Sequence, residues 1–222
     1  MLLAIDTSTR TIGVALYDGS RVLSESSWIS KSHHTVELAP AVDESLTRVG
    51  ANVRDLEAVG VAIGPGGFTG LRIGLALAKG LALSRRIPLI GIPTLDCLAA
   101  AQPIGDFALA AVLQAGRKRL AVGWYQAEGM RWRPEGLLEN CTLDDLIAEI
   151  RRPTWVCGEL AEDARQVLAR QTENVILASP AQSLRRPAVL AELAWERWQA
   201  NQMDDLATLK PIYLHHGKPI PG

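Results

Sequence analysis

The run Gly64-Pro65-Gly66-Gly67-Phe68-Thr69-Gly70-Leu71-Arg72-Ile73-Gly74 carries the residue types most suited to chemistry in this chain. Glycine adopts backbone conformations closed to other residues and lets another group approach the main chain. A glycine loop that opens a helix also presents unpaired N–H groups and the positive end of the helix dipole. Such a loop either holds an anion or lets another structure pack very close. Upstream lies the turn Asp6-Thr7-Ser8-Thr9-Arg10. There Asp6 could retain a magnesium-bound water and the hydroxyls could meet phosphate. Equally, Asp6 and Thr7 could close a side-chain-to-backbone turn.

Several enzyme signatures are missing. The glycine run fails G-x-G-x-x-G because Thr69 takes the last glycine position, and fails the Walker A pattern because Lys79 lies well into the following helix. No G-x-S-x-G elbow occurs. His33 and His34 are adjacent, so they cannot easily face one metal from a helix, and His215-His216 falls in a proline-containing tail. Cys97, Cys141 and Cys157 form no C-x-x-C and read as buried or free thiols in a reducing compartment.

Those residues need a scaffold, and the composition supplies one. The 222 residues are 48% hydrophobic and 21% charged, the balance of a globular protein with a substantial core. A net charge of −1 gives no global argument for nucleic acid or an anionic membrane, although Arg117-Lys118-Arg119 is a local basic patch. The apolar start is ended by Asp6, too short for a signal peptide or membrane span, so a cytoplasmic location is expected.

Hydrophobic periodicity predicts strands over residues 2–5, 11–17 and 21–28, the last two joined by an Asp18-Gly19 turn. A helix over 36–49 follows, stopped by Gly50, then a strand over 58–63, a helix over 69–84, a strand over 88–92, and a short helix over 94–101 with Thr94 as N-cap. After Gln102-Pro103-Ile104-Gly105 the pattern restarts. Strands are expected over 108–113, 120–126 and 130–138, then a helix over 143–150 capped by Thr142, a strand over 154–157, a helix over 160–169, a strand over 175–178 and a helix over 187–200. The tail from Leu206 reads as extended and partly mobile.

Each half thus reads βββαβαβα. Antiparallel strands followed by right-handed crossovers make a mixed five-stranded sheet. Two such halves, 1–103 with the glycine loop and 104–222 with the tail, give an α/β fold of the duplicated actin-like (ASKHA, ribonuclease H-like) kind. Folds of this kind bind ATP through three loops. Here the Asp6 turn has no glycine, Gln114-Ala115-Gly116-Arg117 has no carboxylate, and Cys157-Gly158-Glu159-Leu160 has one glycine beside an acid. All three argue against tight ATP binding. The helix after the glycine loop carries Gly70, Gly74, Ala78 and Ala82 at four-residue spacing, with Ala76 and Gly80 as a shorter second stripe. Interior glycines cost about 1 kcal/mol each relative to alanine, so they need a packing reason. That reason is either the chain's own sheet or a partner helix.

Ile5-Asp6-Thr7-Ser8, the His33…Leu38…Pro40 segment, and above all Gly64 to Gly74 followed by Leu89-Ile90-Gly91-Ile92, resemble the TsaB (YeaZ) family. The resemblance implies the duplicated actin-like fold and a part in making the threonylcarbamoyl modification of adenosine 37 in tRNA. The catalytic relative TsaD carries N-H-x-x-G-H, whose histidines bind its metal. Pro93, Thr94 and Leu98 occupy the corresponding asparagine and histidine positions, so neither ligand is present. The older glycoprotease label has no nucleophile or metal site to support it. Two segments depart from the family: Gln114-Ala115-Gly116-Arg117 stands for Asp-Ala-Arg-Arg, and Tyr213-Leu214-His215 for tyrosine-leucine-arginine.

The resemblance implies a non-catalytic subunit that binds TsaD through its N-terminal half, with the ATPase TsaE joining and tRNA met through the complex. A homodimer is expected when the chain is alone. No catalytic residue and no metal ligand is assigned, and ATP or ADP with magnesium is expected only within the complex. The expected partner interface comprises Leu38, Val42, Leu46, Gly66, Gly67, Thr69, Gly70, Arg72, Gly74 and Ala78. Asp6, Thr7, Ser8, Gly116 and Gly158 are the expected remnants of a nucleotide site. The alternative is an ATPase or phosphotransferase using Asp6 and the glycine loop. A third reading is direct tRNA contact through Arg117, Lys118 and Arg119.

Overall fold

A computed structural model describes residues 1–31, 33–116, 118–171 and 173–214. Strands β1 (Leu2–Asp6), β2 (Thr11–Tyr17) and β3 (Val22–Ile29) lead into helix α1 (His34–Arg48), β4 (Ala58–Ala62), α2 (Phe68–Arg85), β5 (Leu89–Ile92) and α3 (Thr94–Ala100). There follow β6 (Ala108–Gln114), β7 (Leu120–Glu128), β8 (Arg131–Cys141), α4 (Leu143–Glu149), β9 (Thr154–Gly158), α5 (Glu162–Ala169), β10 (Val175–Leu177) and α6 (Pro187–Gln199).

The strands form two five-stranded sheets, ordered β3-β2-β1-β4-β5 and β8-β7-β6-β9-β10. In the first, β1 is antiparallel to β2 and parallel to β4, pairing Ile5 with both Val14 and Val61. In the second, β6 plays the same part, antiparallel to β7 and parallel to β9. The same strand order with the same senses in both sheets is the duplicated actin-like fold. Central β1 and β4 are buried along their whole length, as strands flanked by helices on both faces must be.

Two compact units result. One comprises Met1–Cys97 with Arg186–Ile212, the other Leu98–Arg185 with Tyr213 and Leu214. In the first unit, α1 and α2 cover one sheet face, setting Leu38, Val42, Leu46, Leu75, Ala78 and Ala82 against Leu3, Ile5, Val14, Val59 and Val61. Helix α6 covers the other face with Ala188, Leu190, Ala191 and Ala194 over Leu2, Ala4, Ala15, Ala58 and Ile90. Chain order places α6 in the second half, but its packing places it in the first unit. Its small residues fit a sheet surface that contains Gly60, whose Cβ position would lie 2.7 Å from Ala194 Cβ. Glu25 on β3 fixes its start, accepting from Arg186 Nε at 2.9 Å and from the Ala188 amide at 3.0 Å.

In the second unit, Val112, Val122, Leu146, Val156 and Leu168 form the core beneath α4 and α5. Phe107 stacks on Trp155 at 5.7 Å, and Gln102 is a buried hub. Trp155 Nε1 donates to Gln102 Oε1 at 2.9 Å, Trp132 Nε1 donates to Gln102 O at 3.3 Å, and Gln102 Nε2 donates to Leu98 O at 3.0 Å.

The local signals act where expected at three helix ends. Gly50 takes φ +69° after α1, Thr142 caps α4 in a reciprocal box with Asp145, and Pro187 opens α6. Thr94 differs. It is the first residue of α3 and its hydroxyl bonds elsewhere, as described below. The tail differs too. Asp204 N donates to Leu89 O at 2.9 Å, Gly91 N donates to Asp204 Oδ2 at 2.8 Å, and Ile212 N donates to Ile63 O at 2.7 Å. Leu206 and Leu209 pack on the core. The segment is therefore a strap bonded to the first unit through Ile212. Pro219 and Pro221 lie outside the described residues. Among the described residues no helix is long and apolar enough to cross a membrane.

Candidate functional site

The glycine loop runs from the end of β4 into α2, and its neighbours are the β1–β2 turn and the start of α3. Gly64 has φ +108°, and its Cβ position would lie 2.5 Å from Ile212 O, so the strap and the backbone angle both demand glycine. The Gly64 amide donates to Thr94 Oγ1 at 3.0 Å, and Thr94 Oγ1 lies 2.8 Å from Ser8 Oγ. The Gly67 amide donates to Ser8 O at 2.6 Å. Two of the loop's N–H groups therefore bond to protein, so the loop is knitted to the β1–β2 turn.

Helix α2 continues this contact. Thr7 Oγ1 donates to Gly70 O at 2.8 Å, and a Cβ at Gly70 or Gly74 would overlap Thr7 O or Thr7 Oγ1 respectively. Gly66 would overlap Ser8 O in the same way. The stripe Gly70-Gly74-Ala78-Ala82 is buried against its own unit. Close approach is its purpose, but the group that approaches is the chain's own β1–β2 turn.

This placement corrects much of the expected interface. Leu38, Val42, Leu46, Gly70, Gly74 and Ala78 are all buried inside the first unit. They fill the space between helices and sheet, so they cannot face a partner. Gly66 is half-buried, while Gly67, Thr69 and Arg72 are exposed. The exposed side of α2 is instead the shorter stripe. Phe68, Thr69, Arg72, Ala76, Gly80 and Leu83 all face outward, with Phe68 55% and Leu83 70% exposed. Arg72 lies over the Phe68 ring, 3.7 Å from its centroid. Among the described residues a Cβ at Gly80 would meet nothing within 4 Å. Helix α1 lies beside α2 and exposes Val36. At its start the Trp28 indole donates to Glu37 at 2.9 Å and holds that carboxyl below its ordinary range, against desolvation.

Asp6, Thr7 and Ser8 come together beside the glycine loop, all buried. Asp6 Oδ1 accepts from the Ser8 amide at 2.8 Å, so the side-chain-to-backbone turn forms. Gly116 and Gly158 belong to the second unit. Gly116, φ +74°, shapes the β6–β7 turn, in which Ala115 N donates to Arg119 O at 2.8 Å. Gly158, φ +129°, lies where a Cβ would overlap Val112 O. Glu159 next to it pairs with Arg185, whose side chain is almost wholly buried. Nothing in the sequence distinguishes Arg185 from a surface arginine. Its burial comes from long-range packing.

Thr94 and Leu98, the expected counterparts of metal-binding histidines, are a buried hydroxyl and a buried aliphatic side chain. His34 Nε2 lies 3.1 Å from Thr9 O, and His33 is exposed beside Glu37. His215, His216 and Arg117 lie outside the described residues. Among the described residues no group of three or more His, Cys, Asp and Glu is arranged to hold a metal ion.

A family model described as TsaD, tRNA N6-adenosine threonylcarbamoyltransferase, matches residues 22–149. The tRNA threonylcarbamoyladenosine biosynthesis protein TsaB of Bacillus subtilis (strain 168) is 33% identical over 227 residues, covering 96% of this chain and 93% of that protein. The protein of the same name from Escherichia coli (strain K12) is 40% identical over 98 residues, 44% of this chain and 42% of that one. The solved structure of YeaZ from Pseudomonas aeruginosa superposes with a TM-score of 0.77 at 23% identity, covering 96% of this chain and 99% of that one.

Proposed function

The chain belongs to the TsaB (YeaZ) family, and from that premise we propose that it is a non-catalytic subunit in threonylcarbamoyladenosine biosynthesis, acting by binding the catalytic TsaD. The family takes part in tRNA threonylcarbamoyladenosine biosynthesis. The docking surface is the outward face of α2, from Phe68 and Arg72 through Ala76 and Gly80 to Leu83, with Val36 of α1 beside it. One observation carries this reading. Gly80 sits on the exposed face of α2, in the helix interior, costs about 1 kcal/mol there, and among the described residues meets no contact that excludes a side chain. A partner helix approaching over Ala76 and Gly80 supplies the missing reason. Large apolar groups at both ends of the stripe would then anchor it.

The rival reading, an ATPase built on Asp6 and the glycine loop, finds less support. Asp6 Oδ1 accepts from Ser8, and the Gly64 and Gly67 amides bond to Thr94 and Ser8. TsaE, a nucleotide with magnesium, and tRNA are assigned to the assembled complex, and self-association through the α2 face to the isolated chain.

The test replaces Gly80 with leucine. Open space around Gly80 lets the fold accept the side chain, whereas a helix packed across it cannot. Titration calorimetry with purified TsaD should show binding by the parent chain and none by Gly80→Leu, whose thermal stability should equal or exceed the parent's. Equal affinity in the two proteins sinks the proposed surface. Micromolar ATP–magnesium binding by the isolated chain, lost on Asp6→Ala, would replace this reading with the enzymatic one.

A further inference from the structure

The second unit contains a cavity of about 380 Å³, within the range of small-molecule sites. It lies at the N-terminal ends of β6 and β9, where Ala108 and Thr154 line it. The β8 strand is shaped to build its wall. Trp124 of β7 pairs with Glu135, yet Val122 pairs with Glu139, so residues 136–138 bulge outward opposite Gly123. Gly136 takes φ +76° there, and Leu137 is 88% exposed. Bulges of this kind re-aim side chains beside binding sites. This one brings Glu135 and Glu139 into one lining with Trp124, while the end of α4 adds Glu149 and the following loop adds Arg151 and Arg152.

The charges sort themselves by partner. Arg152 reaches Glu135 at 3.3 Å, and those two offset each other. Glu139 and Glu149 face one another, and the Trp124 indole N–H also bonds Glu139. Burial and the Glu149 charge push the Glu139 carboxyl above its ordinary range, so a positive group placed here relieves a repulsion. Arg151 lines the same cavity, and no described residue forms an ion pair with it.

We propose that this cavity binds a small zwitterion of the α-amino acid class, its ammonium between Glu139 and Glu149 beside the Trp124 indole and its carboxylate on Arg151. Two acceptors and an aromatic ring suit an ammonium, and a guanidinium suits a carboxylate. The proposal is independent of the TsaD-binding surface, which lies on the first unit.

The test follows the Trp124 indole N–H resonance of ¹⁵N-labelled full-length protein, assigned by its loss in Trp124→Phe. L-Alanine is the probe, with methylammonium and acetate as its separate halves. L-Alanine should shift the resonance saturably with a dissociation constant on the order of a millimolar, as suits a ligand of so few atoms. Each half alone should bind about tenfold more weakly or worse, and Glu149→Gln and Arg151→Gln should each weaken L-alanine about tenfold. Thermal unfolding of both variants checks that they remain folded. The proposal fails if L-alanine produces no saturable shift. It fails equally if methylammonium matches L-alanine and Arg151→Gln changes nothing, since the site would then read charge of one sign only.

Discussion

Alanine at Gly74 and alanine at Gly80 should move the stability of the first unit in opposite directions, although both lie in the interior of α2. In an exposed helix Gly→Ala stabilises by about 0.5–1 kcal/mol, because glycine loses more backbone freedom on folding. Gly80 should realise that gain in full, since its new methyl meets nothing within 4 Å among the described residues. Gly74 has the same intrinsic gain, but its methyl would overlap Thr7 Oγ1 and lie 3.3 and 3.4 Å from Thr7 Cβ and Cγ2. Thr7 is fully buried, and its hydroxyl is engaged with Gly70 O at 2.8 Å. Overpacking of this kind costs about 1–3 kcal/mol, and displacing the hydroxyl forfeits about 1 kcal/mol more. The net is about 1–3 kcal/mol of destabilisation for Gly74→Ala, against up to 1 kcal/mol of stabilisation for Gly80→Ala. Urea unfolding by far-ultraviolet circular dichroism reads both as shifts in midpoint at constant slope. Thr7→Ala removes the obstructing oxygen, so Gly74→Ala should cost about 1 kcal/mol less or better in that background. If Gly74→Ala is as stable as Gly80→Ala, or if Thr7→Ala leaves the Gly74→Ala cost unchanged, the packing account of the glycine stripe is wrong.

Burial raises the Glu25 carboxyl, but Arg186 and the Ala188 amide outweigh it and leave the pKa below its ordinary value. A depressed carboxylate stabilises the fold above its unfolded pKa and ceases to do so as pH falls through its folded one. The urea midpoint should therefore drop on acidification below about pH 4.3, and drop less in Glu25→Gln, which is already weakened at neutral pH; parallel curves would refute the role. Burial pushes the Cys157 thiol up, and burial with Glu139 raises Cys141 to about 11. Iodoacetamide at pH 8 should thus label neither quickly in the native protein, and rapid labelling seen by mass spectrometry would contradict the burial. Asp204→Ala removes the acceptor for the Gly91 amide and the partner of Arg197, and should cost about 1–2 kcal/mol. It should also speed amide exchange at Gly91; unchanged exchange there would mean that the strap does not tie β5.

Most of the scaffold was legible because its signals are local. The alternation of Ile12, Val14 and Leu16, the turn at Asp18-Gly19 and the apolar run ending in Ile63 each need only a few neighbouring residues to act. They recover the elements to within a few residues and, through repetition, the duplicated sheet order. The site was legible in part. Ala76 and Gly80 were visible as a second stripe, but spacing alone cannot tell which side of a helix meets the sheet. The longer stripe of Gly70, Gly74, Ala78 and Ala82 therefore drew the assignment to a partner that its burial excludes.

By itself the sequence determined the element types, the two βββαβαβα runs and the positions where glycine must stand, since these depend on side-chain period and backbone angles. Tertiary structure alone decided that Thr7 and Ser8 fill the space the glycines open, that α6 returns to the first sheet through Glu25, and that Arg185 is buried. Those outcomes depend on contacts between residues 58 or more apart in the chain, or on surroundings supplied by the whole unit. Such contacts are chosen by shape and mutual burial, which the composition of either segment does not record.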